Sequence, residues 1–533
     1  MWPEADGYLH RGNGKRTLEA ATGSGTRAIV VGSTGPYAQL AGRKVLETGG
    51  SAVDAVIATS LAQIALAAGS WVSYAGIFSL VHFASSTGKV DSLSAGFRTF
   101  EGETEPATIP GRPEPSGRTA LVPGFMAGIA AAHEKFGKLP WADLFQPTLY
   151  VAERGFPVGS DRQRQFDLRA DVLARTPEAR AIFPKLPRDG EVFRQPALAR
   201  TLTSIAAEGV GWMYDGPWAR DFVRIVNREG GRASLEDLRA YAPIWAEPVR
   251  ASVYGHQIHA AGRPDRGGFQ LLEALQLAED VGDPTTDPEA LHRLIQITRH
   301  TGRPGSHSDF VLAVDQAGNV AAACHSINTG LWGSTGIFVG GVSIPDAACF
   351  QQRTLAAIPP GGHLPFPANP AIAMKAGRPV LASSSIGAGL HVTTLQCVHA
   401  VLALGKTVGE AARRPLFHGP DFLAGDSVSG PVTDRLNGPG VGPRWTEAVR
   451  KARDAGVPPE RMWDTVMAGI PQVIEDRFDP DVLAAVEKRG LQLSVRPLDD
   501  ATIPRGYWGG IGIADGLLTG ARTPFVHGEV EGL

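Results

Sequence analysis

The stretch GSHSDFVLAVDQAGNVAAACHSINTG, residues 305–330, sets two apolar runs on either side of the turn signal DQAGN, the pattern of an antiparallel hairpin. A three-residue loop, a type I turn closed by a left-handed glycine at Gly318, pairs Asp315 with Asn319. Counting outward from that pair puts Ser308 opposite Ser326, where directly paired side chains have Cβ atoms about 4.5–5.5 Å apart. A two-residue loop would shift the register by one and turn the two serines to opposite faces, so the pairing depends on Gly318. Two facing hydroxyls are, on their own, an ordinary structural pair. His307 and His325 flank the serines, but neighbours on a strand point to opposite faces, which assigns the histidines to packing or to the segment ahead of the strand.

Around the hairpin, residues 26–155 alternate short apolar runs with helical patterns. RAIVVGS reads as a strand, 37–47 and 52–68 as helices, and AGIFSLVHF with KVDSLSAGF as paired strands. Residues 101–117 form a surface loop rich in Pro, Gly and Glu, and 425–444 a second Gly/Pro-rich excursion. Residues 123–135, 141–154 and 195–241 read as amphipathic helix. Helices and strands come in separate blocks, which favours layered sheets and helices over a parallel βαβ repeat.

The 533 residues are 43% apolar and 20% charged, enough for a large core. A formal net charge of −3 without blocks of like charge gives no electrostatic reason to expect nucleic acid or an anionic membrane, so the expected partner is a small molecule. The amino terminus lacks the apolar run of a secretory signal, and the best apolar stretch, 52–69, is interrupted by Asp54 and Gln63; the expectation is a cytoplasmic protein that spans no membrane. The three cysteines, Cys324, Cys349 and Cys397, lack metal-ligand spacing and read as buried thiols. Gly267-Gly268 stands without a P-loop Lys-Ser/Thr, so no phosphate site, cofactor or metal is expected.

Five separated blocks carry a resemblance: LETGGSAVDAVIA (46–58), VPGFMAGIAAAHEKFGKLPWADLFQPTLYVAERGF (122–156), EGGRASLEDLRAY (229–241), DRGGFQLLEAL (265–275) and VLAVDQAGNVAAACHSINT (311–329). In this order they resemble the γ-glutamyltranspeptidase family of N-terminal-nucleophile hydrolases. The resemblance implies an α+β fold, a four-layer αββα sandwich. It also implies a precursor that cuts itself between His307 and Ser308 into a larger portion, 1–307, and a smaller one, 308–533, the two intertwined in one structural domain. The assembly considered for it is a homodimer of such processed heterodimers. The family's nucleophile falls on Ser308, its second hydroxyl on Ser326, its active-site asparagine on Asn328, and its oxyanion-binding glycine pair on Gly387 and Ala388. Backbone N–H groups survive the change from Gly to Ala.

The same resemblance exposes departures. The family's TTH at the cut is SDF here, with Ser306 a second, less favoured nucleophile two residues upstream. The acidic position that holds a substrate ammonium falls on Cys349, and a serine pair that helps hold a carboxylate falls on Phe366 and Pro367. Arg98 keeps the carboxylate-binding arginine, whose planar fork suits that group; the alternative reading is a solvated or loop-bracing arginine. Asp346 stands three residues ahead of Cys349 as a substitute acid or a turn residue, and Trp332 either lines the pocket or packs. These changes point to a small amide or acyl substrate bearing a carboxylate but no α-amine, of the oxamate or oxalyl kind. The rival readings are an uncut, inactive homologue that binds a ligand, and a true γ-glutamyl hydrolase or transferase.

Overall fold

The hairpin forms in the expected register. Ser308–Val314 pairs with Val320–Ser326, Ser308 directly opposite Ser326, and Gly318 takes the left-handed conformation at φ 81°. The protein is described from a computed structural model covering residues 4–11, 17–111, 114–301, 308–420, 443–458, 461–462, 465–466, 469–514 and 516–533. His307 and Ser306, and most of 425–444, lie outside the described residues.

The two hairpin strands occupy the middle of a seven-stranded sheet, in the order Val530–Gly532, Ile29–Gly32, Ser308–Val314, Val320–Ser326, Ile77–Ala84, Lys89–Ala95 and Ile244–Ala246. A second seven-stranded sheet runs Ala21–Gly25, Leu517–Arg522, Gly506–Ala514, Arg378–Gly387, Ala371–Lys375, His256–Ala260 and Val249–Val253. Neighbouring strands in both sheets are antiparallel, and each sheet mixes strands from before and after position 308.

Strand parity divides the core into three layers. Val311, Ala313, Ala321 and Ala323 face outward onto the helices Pro36–Glu47, Ala52–Leu66 and Phe125–Phe136. Phe310, Leu312, Val320 and Ala322 face the second sheet and meet Ile372, Ala382, Ile386 and Ile511. The second sheet's outer face carries the helices Gly267–Leu277, Pro288–Thr301 and Leu390–Leu402. The result is helix, sheet, sheet, helix, and every residue of both hairpin strands is buried because both faces are covered. A buried Leu or Phe contributes about 1.5–3 kcal/mol here, and trimming Leu312 to Ala would cost about 2–5 kcal/mol.

The helix Ala52–Leu66 that backs the hairpin is buried all round and starts with a capping box: Asp54 N–H donates to Ser51 Oγ (3.0 Å) and Ser51 N–H to Asp54 Oδ2 (2.9 Å). Asp315, at the hairpin turn, accepts the N–H of Ala52 at 3.0 Å and those of Ala317 and Asn319 at 2.9 and 3.0 Å. One carboxylate thus closes the turn and ties it to the helix start.

The helix expected over 141–154 is split into a 3₁₀ turn, Trp141–Phe145, and an α-helix, Gln146–Arg154, with Pro147 in the first turn of the second piece. Proline lacks the N–H that would continue the first helix but suits the start of a new one. Residues 195–241 are likewise broken into four helices, Pro196–Glu208, Gly211–Tyr214, Pro217–Arg228 and Leu235–Arg239.

Candidate active site

Ser308 and Ser326 begin and end the hairpin on the face turned toward the second sheet, with exposures of 5% and 1%. The N–H of Asn328 donates to Ser326 Oγ at 2.8 Å. That contact takes a lone pair and leaves the Ser326 O–H to donate elsewhere. Asn328 stands in the left-handed region at φ 50°, where asparagine is among the better-tolerated residues. The chain around it is pinned. Ile327 N–H donates to Trp71 O at 3.3 Å and Trp332 N–H to Ser70 O at 2.7 Å. Asp346 accepts from Thr329 Oγ1 (2.6 Å) and from the N–H of Ser334 (2.8 Å). Asp346 therefore clamps this loop rather than facing a substrate. Trp332 packs: its Nε1–H donates to Ala68 O at 2.9 Å and its ring stacks on Phe166.

Cys324 shares the face of the two serines, and its thiol is hydrogen-bonded to Ser308. Burial pushes that thiol far up, with the carboxylates of Asp309 and Asp265 adding to the effect, so it stays neutral. Sequence reading took Cys324 as a plain buried thiol; its spacing of two from Ser326 on one strand was the available signal. His325 faces the other way, as parity requires. Its Nε2 meets Gln63 Oε1 at 2.8 Å, its ring lies against Phe125, and burial holds it down at about 3. It is a packing residue.

The second sheet supplies the opposite wall. Phe310, next to Ser308 on the same face, seats its ring where Gly509 has no side chain; a Cβ there would come within 2.3 Å of it. Gly509 pairs with Ser384, three residues before Gly387 at the end of the same strand. Gly387 has φ 87°, and an added Cβ would meet Arg505 O at 2.7 Å, so glycine is required. Ala388 follows, exposed, and Gly389 N–H donates to Arg505 O at 3.1 Å before the helix Leu390–Leu402 begins. Residues 387–389 make a tight strand-to-helix turn on the facing sheet.

The positions matched to substrate binding are buried. Cys349 sits in the short 3₁₀ helix Ala347–Phe350, Phe366 packs between the sheets, and Pro367 beside it is buried. Behind Phe366, Asp265 accepts from Ser79 Oγ and Ser94 Oγ, both at 2.6 Å. Burial lifts the Asp265 carboxyl to about 7 against those hydroxyls. This buried acid was missed in the sequence, where it reads only as a loop residue before a glycine pair. Arg98 is engaged at all three of its nitrogens: Nε donates to Gly361 O (2.5 Å), Nη1 to Asp237 O (3.2 Å) and Nη2 to Glu101 Oε1 (2.8 Å). A substrate carboxylate would have to replace Glu101, whose side chain is exposed.

Cys324, Cys349 and Cys397 are buried, and none of the three is in a disulfide. Among the described residues no helix is long and apolar enough to cross a membrane.

Comparison with known proteins bears on the family and the fold. Among curated proteins, the chain is 29% identical over 248 residues to a glutathione hydrolase proenzyme of Pseudomonas aeruginosa, covering 46% of this chain and 44% of that protein. It is 31% identical over 264 residues to the glutathione hydrolase-like YwrD proenzyme of Bacillus subtilis, covering 48% and 49%. The matched region thus spans about half the length of these relatives. Among solved structures, the cephalosporin acylase of Bacillus halodurans superposes with a TM-score of 0.78 over 96% of this chain and 97% of that one, at 20% identity, which establishes the shared fold. The model of the gamma-glutamyltranspeptidase family matches residues 38–308, just over half of the chain. The chain belongs to the gamma-glutamyltranspeptidase family.

Proposed function

We propose that the chain is the precursor of an N-terminal-nucleophile amidohydrolase, with Ser308 as nucleophile. The observation that carries the reading is the placement of Ser308 at the start of a central strand, directly opposite Ser326, in a chain of this family and fold. In the precursor, Ser308 Oγ attacks the carbonyl carbon of His307. The peptide C–N bond breaks as the acyl group moves to oxygen, and water hydrolyses the resulting ester. The released α-amine has an ordinary pKa of about 7.7–8.0 and is partly neutral near pH 7. It takes the proton of its own hydroxyl as Oγ attacks the substrate's acyl carbon. Ser326, held by the Asn328 N–H, orients that oxygen. The N–H groups at Gly387 and Ala388 receive the developing oxyanion, the role in which pre-aimed donors act most strongly. Breakdown of the intermediate hands the proton to the leaving amine, and water frees the acyl group from Ser308. The chemistry calls on no cofactor.

The substrate we assign is a small amide or acyl compound that carries a carboxylate but no α-amine, of the oxamate or oxalyl kind. Cys349, Phe366 and Pro367 supply no charge for an ammonium, and burying one unpaired is costly. Asp265 is already occupied by two hydroxyls. Arg98 remains the partner for the carboxylate once Glu101 swings away. The relatives named glutathione hydrolases favour a γ-glutamyl substrate instead, and the two readings separate on a panel of small amides with and without an α-amine. Preferential turnover of the amine-free carboxylates supports the assignment. Preferential release from a γ-glutamyl anilide contradicts it.

A further inference from the structure

Asp309 directly follows Ser308, at the position where the resemblance places a threonine. Its side chain turns away from Ser326 toward the helix layer and is 1% exposed. There Oδ1 accepts from Ser33 Oγ at 2.7 Å and from Thr34 Oγ1 at 2.6 Å. Ser33 Oγ also accepts the Phe310 N–H at 3.0 Å, so one hydroxyl fixes both the carboxylate and the strand behind it. The other oxygen, Oδ2, has no partner with hydrogen-bond geometry among the described residues, although the indole of Trp71 stands near enough to ease its charge. A buried carboxylate oxygen without a donor asks for one.

The reading of Ser308 as a new chain end supplies that donor. The freed α-amine belongs to the adjacent residue, and covalent geometry keeps it within roughly 7 Å of the Asp309 carboxylate. We propose that Asp309 is a positioning residue for the Ser308 chain end, its carboxylate holding the new α-ammonium and setting the pH at which that amine turns into a base. This inference rests on the proposed function and adds a regulating group to it.

The sign follows from the surroundings. Burial lifts the Asp309 carboxyl to about 6, against Thr34, Ser33, Trp71 and Arg162, so it is charged above that pH. An anion beside an ammonium favours the protonated amine and moves its titration upward. The groups facing Asp309 are Arg162 on the helix Ser160–Leu168, whose charge Asp161 also meets, and Cys324 and His325 on the partner strand. Cys324 and His325 are neutral. Arg162 opposes the effect, but its guanidinium is engaged by Leu66 O, Ala67 O, Ser70 Oγ and Gln165 Oε1, at the end of the backing helix. The amine lies one residue away and feels Asp309 more strongly.

The test compares the parent with Asp309→Asn in two ways. One is the pH profile of kcat/KM on the best amide of the panel. The other is the pH dependence of α-amine labelling by an amine-reactive reagent, read by mass spectrometry on the 308–533 polypeptide. The inference expects both acid limbs to move about one pH unit or more toward acid in the variant. If the variant is cut normally and both limbs stay in place, the inference falls and the proposed function stands. If the parent itself is never cut, both fall. Should Asp309→Asn fail to fold or cut, Asp309→Thr takes its place with the same expected shift, and unmoved limbs in that variant overturn the inference.

Discussion

At its turn, the central hairpin satisfies its polar groups internally. Asp315 accepts the backbone N–H groups of Ala52, Ala317 and Asn319 and the side-chain amide of Asn319 at 2.8 Å. At its open end, the same two strands present Ser308 and Ser326 to each other, a neutral thiol beside them, and an asparagine in the left-handed region. Both ends are polar, and Asp315 is as buried as the two serines although the turn it closes reaches solvent. The difference is that the turn end is closed by one carboxylate on several backbone donors, which is the architecture of stability. The open end gathers hydroxyls whose protons can be passed on, which is the architecture of chemistry. Mutations at the two ends should therefore fail in different ways.

The largest effect belongs to the open end. Ser308→Ala removes the attacking oxygen and is expected to abolish both self-cleavage and hydrolysis while leaving the denaturation midpoint near the parent's; a gel and an amide assay read this. Ser326→Ala misorients the nucleophile without removing it, and should lower kcat about 10²-fold with little change in KM, measured on material that has been cut. At the turn end, Asp315→Ala strands the buried N–H of Ala52 and leaves those of Ala317 and Asn319 to water, so chemical denaturation should show a loss of about 1–3 kcal/mol while cleavage at 308 persists. If Asp315→Ala abolished cleavage without loss of stability, the contrast between the ends would break.

The smallest effect at neutral pH, one that grows only on acidification, is a pH dependence from the layer behind the hairpin. His325 titrates at about 3 in the folded chain and near 6.5 in the unfolded one. Between those values the unfolded state binds one more proton, so stability rises with pH across that window and is lost on acidification. Relative to His325→Phe, the parent should lose about 1.4 kcal/mol more per pH unit as the pH falls from roughly 6.5 toward 3, as read by denaturation at a series of pH values. Parallel stability curves would show that His325 is not held neutral by its packing.

The hairpin register was readable because one glycine decided it: Gly318 selects the loop, and the loop selects which side chains face each other. Layered sheets and helices were readable because helices and strands come in separate blocks, whereas the number of layers, four, came from the resemblance. The split at Pro147 went unseen because the apolar pattern runs through it. The facing of Ser308 and Ser326 was legible along the chain, and parity alone separates the serines from His325; the roles proposed for them and for Asn328 came from the resemblance. Asp265, Cys324 and Asp309 acquire their surroundings from strands far away in sequence, Ser79 and Ser94 for the first and Ser33 and Thr34 for the last. The engagement of Arg98 by Glu101, Gly361 and Asp237 likewise depends on loops meeting across the fold.

The central claim concerns a covalent bond, and intact-mass and end-sequence measurement of the purified protein after prolonged incubation tests it most directly. The account predicts two polypeptides, 1–307 and 308–533, the second beginning with a free Ser308 amine, and no such pair from Ser308→Ala. A single uncut chain of 533 residues, or a new end at any other position, would contradict it.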